Sequence, residues 1–167
     1  MNARSAIAIF AVSLVVTPAL AATSSQNMDR YVELLRSDIK ADKTAVITEA
    51  LQLTDAEGKA FWPIYREYDV ELSKLGDARY QLLKQYAKAY EMGTVQDSVA
   101  SDLATRWFKL QQQRLDLLNR YYKKIAKAVS PMRAAQFVQA ENQIGLLIDV
   151  AVASETPFIE KSEKTTK

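Results

Sequence analysis

The stretch Leu51-Gln52-Leu53-Thr54-Asp55-Ala56-Glu57-Gly58-Lys59-Ala60-Phe61-Trp62-Pro63-Ile64-Tyr65-Arg66-Glu67-Tyr68 decides the fold. Thr54-Asp55-Ala56-Glu57 is a capping box. The Thr54 hydroxyl accepts from the amide of Glu57, and the Glu57 side chain accepts from the amide of Thr54, which satisfies two of the donors that a helix start leaves unpaired. Leu53 precedes the cap, but the residue it would staple onto is Gly58, which has no side chain. From there Phe61, Tyr65, Tyr68, Leu72, Leu75, Leu82, Tyr86 and Ala89 follow at steps of mostly four and three, with Arg79 the one polar member. That spacing predicts an amphipathic helix running to about Glu91, with the stripe of a coiled coil or bundle. At 1.5 Å per residue it would be about 57 Å long, too long for a compact bundle of this chain length. Pro63 lacks an amide and crowds the carbonyl of residue 59, so a bend is expected near Trp62-Pro63.

Working outward, Met28 to Leu51 reads as helical, with Tyr31, Leu34, Leu35, Ile39, Val46 and Ile47 at rough three-and-four spacing. Asp42 and Thr44 are alternative restarts, which leaves one helix or two. Beyond Glu91, Gly93 suits the left-handed conformation that ends helices, and Thr94 is the expected cap of a helix from Val95 to Val129. This helix carries two neighbouring apolar lines. Val99, Leu103, Trp107, Leu110, Leu117 and Tyr121 form one, and Phe108, Leu115, Leu118, Tyr122, Ile125 and Val129 form the other. Two lines mean several neighbours, or apolar surface left open. Asp102 with Arg106 and Asp116 with Arg120 are four-spaced pairs of favourable order. Ser130 as cap and Pro131 at the first helical position start a last helix to Ser154, whose apolar second half is expected to be the most buried. The fold expected is therefore all-α, with four or five helices, two of them long, antiparallel and amphipathic, in a curved hairpin or elongated bundle.

The chain opens with Arg4, an apolar run from Ala6 to Val16 and a small-residue site ending at Ala21. This is the anatomy of a cleavable signal peptide over residues 1–21, and its apolar run is shorter than the ~20 residues a membrane span needs. Residues 22–154 then form a single helical domain, residues 155–167 a flexible tail, and the address is the periplasm. With 22 basic and 20 acidic residues the chain is close to neutral, so any argument from charge must be local.

Cysteine and histidine are both absent, so no disulfide holds the fold, and the commonest transition-metal ligands and proton-transfer group are missing. Glu67, Asp69 and Glu71 crowd one region of the first long helix, but two-residue steps diverge around a helix, and a solvated acidic face is the plainer reading. No Gly-rich phosphate loop or nucleophile elbow occurs. The expectation is a binding protein with no catalytic residue, no metal and no cofactor.

Leu53-Thr54-Asp55-Ala56-Glu57 and Val129-Ser130-Pro131-Met132-Arg133-Ala134-Ala135-Gln136-Phe137 together resemble the paired Leu-Thr-x-x-Gln motifs of the Spy/CpxP family of periplasmic stress proteins. The layout of signal peptide and helices agrees. Glu57 stands where that motif has glutamine and keeps its capping chemistry, whereas Ser130 replaces threonine and Arg133, at the third helical position, removes the reciprocal arm. Phe61 to Tyr65 and Glu141 to Ile144 look like a separate, uncharacterised branch. The resemblance implies a curved helical cradle, often a homodimer, that holds unfolded or misfolded proteins, with Leu53, Thr54, Glu57, Ser130 and Pro131 as its motif caps.

The second long helix offers the surface for such a role, because Arg106, Lys109, Arg114, Arg120, Lys123, Lys124 and Lys127 face a single acid, Asp116, with Trp107, Phe108, Tyr121 and Tyr122 interleaved. Export makes nucleic acid an improbable partner for this mixture. Positive charge speeds encounter with non-native chains and apolar patches supply contact. The candidate client-binding residues are Arg106, Trp107, Lys109, Arg114, Arg120, Tyr121 and Lys124. The competing reading makes the aromatics core and the cations a solvated rim over it. In functional terms this is an ATP-independent holdase, with a regulatory adaptor docking on a membrane stress sensor as the alternative.

Overall fold

The computed structural model of the chain describes residues 43–156. The expected signal peptide, most of the expected first helix and the tail expected beyond Thr156 lie outside the described residues. Four helical segments follow one another: α1 (43–51), α2 (Asp55–Glu91), α3 (Asp97–Ala128) and α4 (Pro131–Glu155). No strand occurs among the described residues, and the fold is all-α.

The Thr54 capping box forms as its residues dictate. Glu57 N–H donates to Thr54 Oγ1 at 3.3 Å, and Thr54 N–H donates to Glu57 Oε2 at 2.9 Å. α2 continues through Pro63, which sits on the exposed face, so the amide it lacks opens the ladder toward water rather than toward the core. At the far end Gly93 takes φ +61° and closes the helix as expected. Thr94 acts otherwise than expected. Its hydroxyl donates back to Ala89 O at 3.2 Å, so it finishes α2, and α3 starts after Gln96 with no side-chain cap. Ser130 caps α4 by accepting from Arg133 N–H at 3.2 Å, with Pro131 at the first position.

Cross-helix pairs set the directions. Glu67 meets Lys124 and Gln85 meets Arg106, so α2 and α3 form a long antiparallel hairpin. α4 runs parallel to α2, since Glu57 meets Arg133 and Arg79 meets Asp149. α1 runs antiparallel to both, because Lys43 reaches Asp69 and Glu141 while Leu51 O receives Arg133. With α2 about 55 Å long and α4 about 37 Å at 1.5 Å per residue, the hairpin outruns α4, and among the described residues its distal end is two helices thick.

The core lies where all four segments overlap. Ile47, Leu51, Phe61, Tyr65, Tyr68, Leu117, Tyr121, Ile125, Ala134, Phe137, Ala140 and Ile144 form one buried cluster. Phe137 is its hub, with ring centroids at 5.0 to 6.3 Å from Tyr68, Tyr65 and Phe61 in edge-on contact, a geometry worth about 1 kcal/mol per pair beyond burial. Leu82 and Tyr86 make a smaller buried site farther along the hairpin. In α4 the burial is the reverse of the expectation. Ala134, Phe137 and Ala140 of its first half and Ile144 just past its middle are buried, while Leu146, Leu147 and Val150 stay exposed. The cause is geometric: the large side chains that the other helices contribute to the main cluster sit at the α1 end, and α4 extends past them.

Candidate functional site

The seven residues proposed on α3 divide by the neighbour each one finds. Tyr121 is a correction: it is 1% exposed, packed on Tyr68 at 5.4 Å, and its hydroxyl donates to Glu71 Oε1 at 2.6 Å, so it belongs to the core and cannot meet a client. Arg114 also turns inward, lying across Gly145 of α4 and pairing with Asp149 at 3.6 Å. Arg120 pairs with Glu71, and Lys124 pairs with Glu67 at 3.0 Å while covering the Tyr121 ring at 4.4 Å. Both head groups remain at the surface, as a rim over aromatic core. Arg106 binds Gln85 at 2.6 Å and Asp102 at 3.3 Å, the second being the four-spaced pair expected. Asp116 instead accepts from Gln112, because Arg120 is drawn to α2. Trp107 and Lys109 are exposed.

The crowded carboxylates of α2 are thus tied one by one. Glu67 and Glu71 face α3, and Asp69 receives Lys43 at 3.0 Å. The Tyr121 hydroxyl, then Arg120, hold the Glu71 carboxyl below its ordinary range. Burial, then the bond to Glu71, raises Tyr121.

Two polar contacts that spacing alone did not pair join the motif segments and α1. At one end Arg133 lays its guanidinium on Glu57, Nε to Oε1 at 3.0 Å and Nη2 to Oε2 at 3.2 Å, and donates to the carbonyls of Leu51 and Gln52 that α1 leaves open. The arginine that broke the second motif therefore caps a different helix. Its bonds, followed by that from the Thr54 amide, bring the Glu57 carboxyl down to about 2. At the other end Glu141 is 3% exposed and receives Tyr65 at 3.1 Å, Tyr68 at 3.0 Å and Lys43 at 3.2 Å. Burial, then the adjoining Glu141 charge, raises both tyrosine hydroxyls far above their usual range. Every donor is committed to holding α1 and α4 on α2, which makes this cluster an internal brace.

The open apolar surface is elsewhere. Phe108 is 65% and Leu115 60% exposed, and Leu115, Leu118, Asn119 and Tyr122 of α3 line a shallow recess with Ala135 and Val138 of α4. The apolar α3 members belong to the second apolar line in the sequence. Their α4 partners needed the register of the two helices, which the buried Ile125, Ala134 and Phe137 set. Trp62 packs edge-on against Phe61 and Tyr65 and over Gly58, so the aromatic run after the first cap is structural. Among the described residues no group of three or more acidic side chains converges as a metal site would require, and no helix is long and apolar enough to cross a membrane. Family models, curated proteins and solved structures gave no match to this chain.

Proposed function

We propose that the protein is a periplasmic, ATP-independent holdase of Spy/CpxP type, which shields non-native chains on the outer surface of α3 and its recess with α4. The observation that carries this reading is the exposed line of Phe108 and Leu115 leading into that recess, beside surface lysines. Large apolar side chains held open on a rigid helix supply contact area without an ordering cost to the protein. Trp107 and Lys109 remain in the proposed surface, with Arg120 and Lys124 at its basic margin. Tyr121 and Arg114 leave it, since one is core and the other is held against α4.

The test is aggregation of a chemically denatured client diluted into buffer with an equimolar amount of the protein. Slower light scattering is expected, without nucleotide or metal. Unchanged scattering for several clients sinks the reading. Recovery of one stoichiometric membrane-sensor domain in a pull-down, in place of many denatured clients, turns the assignment to a regulatory adaptor.

A further inference from the structure

Resting on the holdase reading, we propose that the recess, together with the exposed Phe108–Leu115 line of α3 leading into it, takes a specific class of client segment: a short, extended, apolar stretch of about six residues flanked by carboxylates. Length comes from the helix. Phe108 to Tyr122 spans about 21 Å at 1.5 Å per residue, and an extended chain at about 3.3 Å per residue covers that line with about six residues. Leu115, Leu118, Tyr122, Ala135 and Val138 present apolar surface to it, and Asn119 interrupts them.

Charge comes from the two banks. Lys109, Gln112, Asp116, Lys123 and Lys127 lie along the solvent side of α3, following the helical repeat beside the lining residues, and all five are exposed. Asp116, the one acid on this bank, is held by Gln112 at 2.9 Å. No ion pair engages Lys109, Lys123 or Lys127 among the described residues, whereas Arg114, Arg120 and Lys124 are tied to Asp149, Glu71 and Glu67. On the α4 bank Gln139 and Asn142 stand one turn beyond Ala135 and Val138, both exposed and uncharged. The charge left open beside the apolar floor is therefore positive and one-sided. Carboxylates at the edge of a bound segment find lysines there, and lysines find like charge.

The experiment uses the whole exported chain and two labelled peptides of six apolar residues, one flanked by aspartates and one by lysines, read by fluorescence anisotropy. The aspartate-flanked peptide is expected to bind about tenfold more tightly at low ionic strength, with the gap closing as salt screens the pairs. K123E/K127E is expected to abolish or reverse the preference, and Leu115→Ser to weaken both peptides. Both variants change exposed side chains, and circular dichroism checks that each stays folded. Equal binding of the two peptides, or aspartate-flanked binding that Leu115→Ser leaves unchanged, overturns the inference. If the wild type slows client aggregation but shows no flank preference, only the inference falls. If it neither slows aggregation nor binds either peptide, the holdase reading falls with it.

Discussion

Glu57 shows how far one residue's chemistry can be read before its neighbours are known. Its place three residues after Thr54 fixes its capping role, and the bonds to Thr54 are those the spacing requires. Its pairing with Arg133, 76 positions away, depends on α2 and α4 starting side by side and has no local signal. Glu57→Gln separates the two roles, because glutamine keeps the capping bond and loses the charge. A carboxyl held near 2 in the fold against an ordinary 4.5 binds fewer protons in the native state than in the unfolded state between those values. The stability it confers is full above about 4.5 and is lost as pH falls toward 2. Wild type is therefore expected to melt above Glu57→Gln near neutrality, with the difference shrinking between about pH 5 and pH 2 in thermal melts followed by circular dichroism. Gln52 makes a second case. It ends α1 at φ +43°, a conformation that favours glycine, while its carbonyl accepts from Arg133. Gln52→Gly keeps that carbonyl and is expected to raise the unfolding free energy by up to about 1 kcal/mol in urea titration.

At the scale of the element, helices with strong local signals were readable and their partners were not. Periodicity placed Phe61, Tyr65, Tyr68, Leu82 and Tyr86 on one stripe of α2, and all five are buried. In α3, two apolar lines could not be ranked without knowing where α4 lies, and the buried set, Leu117, Tyr121 and Ile125, takes members from both. In α4 the hydrophobicity of Leu146, Leu147 and Val150 pointed inward, yet burial requires a facing helix as well as apolar side chains. Gly145 tests the α3–α4 contact directly. A Cβ there would fall 1.8 Å from Arg114 Nη2, so Gly145→Ala must push the guanidinium away and weaken its pair with Asp149. Alanine gains about 1 kcal/mol of helix propensity over glycine, and a part-exposed pair is worth about 0–1 kcal/mol, so the two effects roughly cancel. Gly145→Ala is expected to change stability by less than about 1 kcal/mol. Arg114→Ala should then have a smaller effect in that background than in wild type. A double-mutant cycle in urea measures the coupling, and strict additivity would show that Arg114 draws nothing from its position over Gly145.

For the whole molecule, the helical class and the long hairpin follow from caps and periods, but the way the helices are held together depends on buried polar groups that look like surface residues in the sequence. Glu141, Lys43, Tyr65 and Tyr68 come from three segments, and only the assembled bundle brings the carboxylate into contact with its three donors. The basic residues of α3 misled for the same reason, since Arg114, Arg120 and Lys124 answer acids on α2 or α4. This construction makes the fold vulnerable to alkali. Tyr65, Tyr68 and Tyr121 each carry a raised hydroxyl pKa, because burial and a bonded carboxylate oppose the phenolate, whereas the unfolded chain ionises each near the ordinary 10.0. The native state therefore holds protons that the unfolded state releases, and the stability these groups confer is full below about 10 and declines as pH climbs past it. Absorbance at the phenolate band reports the ionisation of these three rings among the eight tyrosines of the chain. Tyr65, Tyr68 and Tyr121 should ionise only in a steep step that coincides with the loss of helical ellipticity. Tyr68→Phe separates bonding from titration. It removes one donor to Glu141, which should lower stability at neutral pH by about 1–3 kcal/mol, and it removes one of the protons released on unfolding. Its stability should consequently fall less steeply than that of wild type above about pH 10. Ionisation of all the tyrosines in one gradual phase, with ellipticity unchanged, would show that no carboxylate brace holds these rings in solution.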